Sequence, residues 1–287
     1  MIELGFFERA LIEAVLAGAL AGLVGTLVVL RRRAFFTTAL THATFPGAMV
    51  AAVLGFSVVL GSALFSIVLV ALMTLIARVR GQGGQVAAGV VLTFGFALGA
   101  LLQSANPSLP ISVESFLVGS ILTVGWADIA LTAAVLVVAA LVLALRGRHI
   151  VFATVDELGY RAAGYRPWVI EALTSALIAA TVVAIMPAIG AILAIALIVG
   201  PAAAARRLVS STTAVLALAP VLGALAAVIG VLLSRELAVA AGGAITVVVA
   251  ALVGLALIAG RMLDARRSRA RAGHPAPPAA PRTLVSP

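Results

Sequence analysis

The chain has 287 residues, of which 63% are hydrophobic and only 10% charged, whereas a water-soluble domain carries about 25% charged residues. Most of it must therefore be solvated by lipid. Its net charge of +9 rests on 19 basic residues, all arginine, against 10 acids. A P-loop nucleotide site, which needs a lysine, is excluded. No cysteine and three histidines fall short of a closed four-ligand zinc site, so no permanently bound cofactor is expected. HExxH and GxSxG are also missing, which removes support for a membrane metalloprotease or serine hydrolase. The arginines lie in short stretches between apolar runs, so they read as topology signals rather than a nucleic-acid surface.

A helical span needs about 17–25 apolar residues. Nine stretches qualify: 10–30, 34–56, 58–77, 86–103, 128–145, 169–187, 189–205, 213–234 and 240–260. The predicted fold is an all-α polytopic membrane protein with about nine transmembrane helices. The opening residues MIELGFFERALIEAV carry no basic region before their apolar run, so they are not read as a cleaved signal peptide. The sixth and seventh spans are separated only by Pro187 and Gly190. The apolar but interrupted stretch 112–125 suits a half-helix or re-entrant segment at one membrane face, and counting it as a span would make ten. Residues 1–260 form the expected membrane domain. The Arg-, Pro- and Ala-rich remainder, 261–287, is expected to be a disordered basic tail.

Orientation follows from the arginines. Arg31, Arg32 and Arg33 follow the first span, Arg78 and Arg80 the third, and Arg146, Arg148, Arg161 and Arg166 the fifth. Arg206 and Arg207 follow the seventh, and six more follow the ninth. By the positive-inside rule the N-terminus is outside and the C-terminus inside. On this assignment the inner side holds 17 arginines against four acids, or +13, and the outer side two against six, or −4, which sum to the +9 of the chain. The outer acids include Glu13, Glu114 and Asp128. They could concentrate cations at an entrance, or simply remain where arginine was kept out.

Thr37, Thr38, Thr41, His42 and Thr44, followed by Pro46 and Gly47, make the most informative cluster. With a span starting at Ala34, His42 lies eight residues in, ~12 Å deep at ~1.5 Å per residue, near the middle of a ~30 Å hydrocarbon layer. Ionisable residues at that depth are costly and tend to mark a pathway. Thr38 and His42, four apart, share a helix face. Pro46-Gly47 is a helix break of the kind transporters place at substrate sites. The alternative is a histidine satisfied by a backbone carbonyl or threonine hydroxyl inside the bundle. The connection 146–168 is the longest inner loop. VDELGYRAAGY within it, holding Asp156, Glu157 and Arg161, predicts a short amphipathic helix ended by Gly164. It could dock a cytoplasmic partner or rest on lipid.

Five segments, in order, resemble those of metal-type ABC transporter permeases, the zinc, manganese and iron uptake family. RRRAFFTTALTHATFPGAM is similar to the family's arginine turn followed by L-x-D-A-L-S-H-A-x-L-P-G. SFLVGSILTVGWADI resembles S-F-L-F-G-S-L-L-x-V-S-W-x-D-L, and FATVDELGYRAAGY resembles the ATPase-docking segment. AIGAILAIALIVGPAAAARRL and GGAITVVVAALVG resemble two later helices. The resemblance implies a homodimeric permease in a bacterial cytoplasmic membrane. It also implies two cytoplasmic ATPase subunits that use ATP, an extracytoplasmic metal-binding protein, and a divalent metal as transported substrate. His42 takes the place of the family's pathway histidine, and Asp156, Glu157 and Gly164 fall in the docking segment. Thr38 stands where the family usually has an aspartate, and imidazole without carboxylate favours zinc over manganese. A secondary transporter driven by an ion gradient, with no ATPase, is the rival reading.

Overall fold

The computed structural model describes residues 5–77, 79, 83–109 and 112–272, with side chains as far as Met262. Glu3, Arg78, Arg80 and the tail 273–287 lie outside the described residues. The described chain is helical. It runs α1 (Phe6–Leu30), α2 (Ala34–Ala43), α3 (Phe45–Leu54), α4 (Val58–Ala77), α5 (Gly83–Ala105) and α6 (Val113–Val118), then a 3-10 turn (Ile121–Thr123). Next come α7 (Trp126–Val155), α8 (Glu157–Ala162), α9 (Pro167–Ile189), α10 (Ala191–Leu208), α11 (Thr212–Leu237) and α12 (Ala241–Ala272). With α2 and α3 taken as one span, nine helices among the described residues are long and apolar enough to cross a membrane.

Burial decides which helices form the core. α1 is apolar nearly all round and buries Ala14, Ala17, Leu20, Ala21 and Val24 completely, as expected of a helix enclosed by others. It packs against α7, α9, α10 and α11. The approach to α11 is backbone-close. A β-carbon on Gly18 would collide with the Gly223 carbonyl, and one on Gly22 with that of Ala219. Small residues permit such contacts where no hydrophobic drive separates protein from lipid. α7, by contrast, exposes Val137, Val138, Leu141 and Leu145, a surface suited to acyl chains.

Over 112–125 the chain forms the short, interrupted helix that was one of its two expected forms. The six-residue α6 and the 3-10 turn sit where α9 gives way to α10. There Gly190 has φ +87°, and the Pro187 carbonyl accepts the Ser120 N–H at 3.1 Å. The loop expected over 146–168 is corrected. α7 continues to Val155 and is 30 residues long, ~45 Å at ~1.5 Å per residue, well beyond a ~30 Å hydrocarbon layer. Arginines mark where this helix leaves lipid but do not end it. α12 likewise continues past residue 260, to Ala272.

All the described inter-span arginines except Arg235, together with α8 and the first turns of α9 and α11, collect at one end of the bundle. This is the arginine-rich end. The N-terminus of α1, α6 and the start of α7 mark the opposite end.

Candidate permeation site and docking segment

The α2–α3 span carries the threonine–histidine cluster. Each threonine closes on its own helix: Thr37 Oγ1 donates to the Arg33 carbonyl at 3.0 Å, Thr38 Oγ1 to Ala34 at 3.0 Å, and Thr41 Oγ1 to Thr38 at 2.8 Å. His42 Nδ1 lies 3.0 Å from the Thr38 carbonyl and 3.1 Å from Thr41 Oγ1. A carbonyl can only accept, so Nδ1 is the donor in this contact, and in the neutral imidazole Nε2 keeps its lone pair. That is the arrangement in which a backbone oxygen orients a metal-binding imidazole. The ring is half-buried and meets Phe96 edge-on at 6.4 Å. One imidazole nitrogen is thus satisfied within its own helix.

The helix interruption falls at Thr44, not at Pro46-Gly47. Pro46 has no N–H to return to the His42 carbonyl. Yet Thr44 keeps helical angles (φ −76°, ψ −13°), and its carbonyl accepts the N–H groups of both Gly47 and Ala48. Gly47 serves packing instead, since a β-carbon there would strike Phe65 and the Gly61 carbonyl of α4. Beyond the interruption, Phe45 packs on Phe116 of α6 with ring centroids 4.7 Å apart and planes tilted by 52°, and Thr44 Oγ1 points at Met186 Sδ. Phe45, Met49, Phe116 and Met186 therefore form an apolar layer between His42 and the end of the bundle that carries α6.

The three outer acids do not share one site, although Glu13 and Asp128 lie close enough to act on each other electrostatically. Glu13 is fully buried between α1 and α7, where Thr132 Oγ1 donates to Oε1 at 2.8 Å and Oε2 has no partner. This corrects its expected place at an entrance. Asp128 caps α7 through the Gly125 N–H at 2.9 Å, and Glu114 is exposed on α6. Among the described residues no three metal-ligating side chains gather.

At the arginine-rich end, Asp156 caps α8 by accepting the Gly159 N–H at 2.8 Å, and Arg161 pairs with Glu157 at 2.6 Å. Gly164, at φ +83°, turns the chain into α9. Tyr160 is buried, stacked on Tyr165 at 4.9 Å and edge-on to Phe152 at 5.3 Å, with His149 beside both tyrosines. α8 is thus held firmly at its base while Glu157, Leu158 and Arg161 face outward.

Residues 3–260 match the ABC 3 transport family. The chain belongs to that family. It is 31% identical over 260 residues to the zinc transport system membrane protein TroC of Treponema pallidum, covering 88% of this chain and 87% of that one. It is 26% identical over 256 residues to the manganese transport system membrane protein MntC of Halalkalibacterium halodurans, covering 89% and 88%. A solved structure of PsaBC from Streptococcus pneumoniae in complex with Fab superposes with a TM-score of 0.80 at 27% identity, over 88% of this chain and 91% of that one. The resemblance to metal-type ABC permeases drawn from the five segments therefore holds, and the protein is a transport component rather than an enzyme.

Within this ABC 3 permease, the residues missed in the sequence lie beside α8. Arg31 donates to Glu171 Oε2 at 3.1 Å and to Thr174 Oγ1 at 2.9 Å, and Arg33 donates to Glu171 Oε1 and to Ser175 Oγ. Burial lowers the Arg31 guanidinium from its ordinary value, and the Glu171 carboxylate opposes that shift. These arginines read as topology charges in the sequence. The only signal for more was their position at the two ends of the turn that opens the histidine helix.

Proposed function

We propose that the chain is the membrane-spanning permease subunit of an ATP-driven importer of divalent metal ions, zinc first, then manganese or iron. The observation that carries this reading is His42. It is a mid-span imidazole oriented through Nδ1 with Nε2 free, in a permease whose relatives are named for zinc and manganese transport. Imidazole with no carboxylate one turn before it suits zinc better than manganese, which prefers oxygen ligands. One chain supplies one such nitrogen, which favours a homodimer in which a second copy adds its own.

The arginine-rich end is cytoplasmic by the positive-inside rule, and the membrane is the bacterial cytoplasmic membrane. α8, with its exposed Glu157, Leu158 and Arg161, contacts a cytoplasmic ATPase that uses the ATP. An extracytoplasmic binding protein delivers the metal to the end that carries α6. The apolar layer around Phe45 and Phe116 keeps that side closed until the ATPase acts.

The test is uptake into vesicles holding the permease with its ATPase and binding protein. ATP-dependent accumulation of zinc, exceeding that of manganese, is expected. Accumulation driven by an ion gradient without ATP would instead support the secondary-transporter reading.

A further inference from the structure

We propose that Glu171 is the joint through which movement of the docking helix α8 reaches α2, the helix that carries His42. This role rests on reading α8 as the ATPase contact. Glu171 lies one turn into α9, whose first residue, Pro167, follows α8 by a short turn. That turn is tied by three backbone bonds: Ala163 N–H to Gly159, Gly164 N–H to Arg161, and Tyr165 N–H to Tyr160. With Tyr160 buried against Tyr165 and Phe152, α8 is seated on the turn that leads into α9, and the two helices can close on each other about that turn.

On its other side the Glu171 carboxylate is forked by Arg31 and Arg33, one guanidinium on each oxygen. Arg31 is the last residue of the α1 turn and Arg33 the residue that opens α2. Arg31 and Arg33 side chains are only 13% and 23% exposed, so this is not a loose surface pair of little consequence. The two arginines also hold Thr174 and Ser175, so α9 is gripped over its first two turns. From Arg33 to His42 is nine residues of helix, ~13 Å, with no loop between.

The same spot offers a second set of partners. A cleft of about 440 Å³ opens between α8, α9 and the α1–α2 turn, lined by Arg31, Glu157, Arg161, Trp168 and Glu171. Two acids and two guanidinium groups face one space, and Glu157 already acts electrostatically on Arg31. Closing the cleft by moving α8 inward brings Arg161 toward Glu171 and Glu157 toward Arg31. Glu171 then exchanges Arg33 for Arg161 and releases the start of α2. Such an exchange of ion pairs is a discrete two-state element, which is what transmission between separated sites requires.

The experiment uses the complete transporter in vesicles and measures metal moved and ATP hydrolysed in the same sample. For Glu171→Gln we expect metal moved per ATP to fall by about tenfold, within the range seen for mutations along coupling networks, with ATPase association and hydrolysis retained. Glu171→Asp, which keeps the charge, should recover most of the ratio. Arg33→Gln should lower it as well, and the double variant should be no worse than either single one, because both remove the same link. If Glu171→Gln disturbs insertion, Glu171→Asp and Arg33→Gln carry the test. A wild-type ratio in Glu171→Gln, or in Arg33→Gln, or losses that add in the double variant, would overturn the joint. A wild-type transporter that moves no metal with ATP would refute the importer reading, and the joint with it.

Discussion

At the scale of single residues, the proposed permeation chemistry rests on two helical turns of α2. His42 was legible because depth follows from counting along an apolar run, and an ionisable residue at mid-span stands out against its neighbours. Its tautomer was not legible. That depends on the Thr38 carbonyl and the Thr41 hydroxyl converging on Nδ1, which takes coordinates. Thr38 donates its hydroxyl proton to the Ala34 carbonyl, so its oxygen keeps its lone pairs but carries no charge. Thr38→Asp places a carboxylate one turn before the imidazole, giving one oxygen and one nitrogen on a shared face. Manganese uptake relative to zinc should rise by about fivefold or more, since carboxylate ligands suit manganese. Competition uptake with both metals measures this, and an unchanged ratio would mean that Thr38 lies off the ion path. Glu13 was misjudged at this scale because sequence position near an outer end does not distinguish a surface acid from one enclosed between α1 and α7.

At the scale of elements, spans were read well and their ends poorly. Apolar composition marks the part of a helix in lipid, and that is how α4 and α9 were found nearly to the residue. It says nothing about a helix continuing into water, which is why the last turns of α7 and the extension of α12 were read as loop and tail. The half-helix α6 was recognisable from its interruptions, Gly119 and Gly125. Its packing partner Phe45, more than sixty residues away, was not. For α8, Glu157→Arg removes the pair with Arg161 and reverses a charge on the outward face. We expect the variant to insert normally but to retain the ATPase several-fold less well on co-purification, as truncating or reversing an interface charge usually does. Full retention with full ATP-driven uptake would show that α8 is not the docking element. Gly164→Val forces a β-branched residue into a left-handed turn at φ +83°, at a cost of about 1–2 kcal/mol. It should loosen the same element, read as faster proteolysis between α8 and α9.

For the whole molecule, the bundle is built around α1 and its close contact with α11. Gly18→Ala would push a methyl group into the Gly223 carbonyl. The expected loss of about 1–3 kcal/mol is measurable as a lower melting temperature of the detergent-solubilised protein. The arginine pattern assigns a cytoplasmic C-terminus, so a reporter fused after Arg271 should be active inside the cell only, and activity outside would reverse the orientation. Both statements concern the scaffold, whereas the proposed transport site is at mid-span. The decisive measurement is ATP-driven zinc uptake by the reconstituted transporter with wild-type His42 and with His42→Ala, checked for equal insertion and ATPase association. The account predicts a loss of about tenfold or more in the variant, as expected when a metal ligand is removed from a site with few others. Uptake equal to wild type would contradict it and make His42 a structural residue.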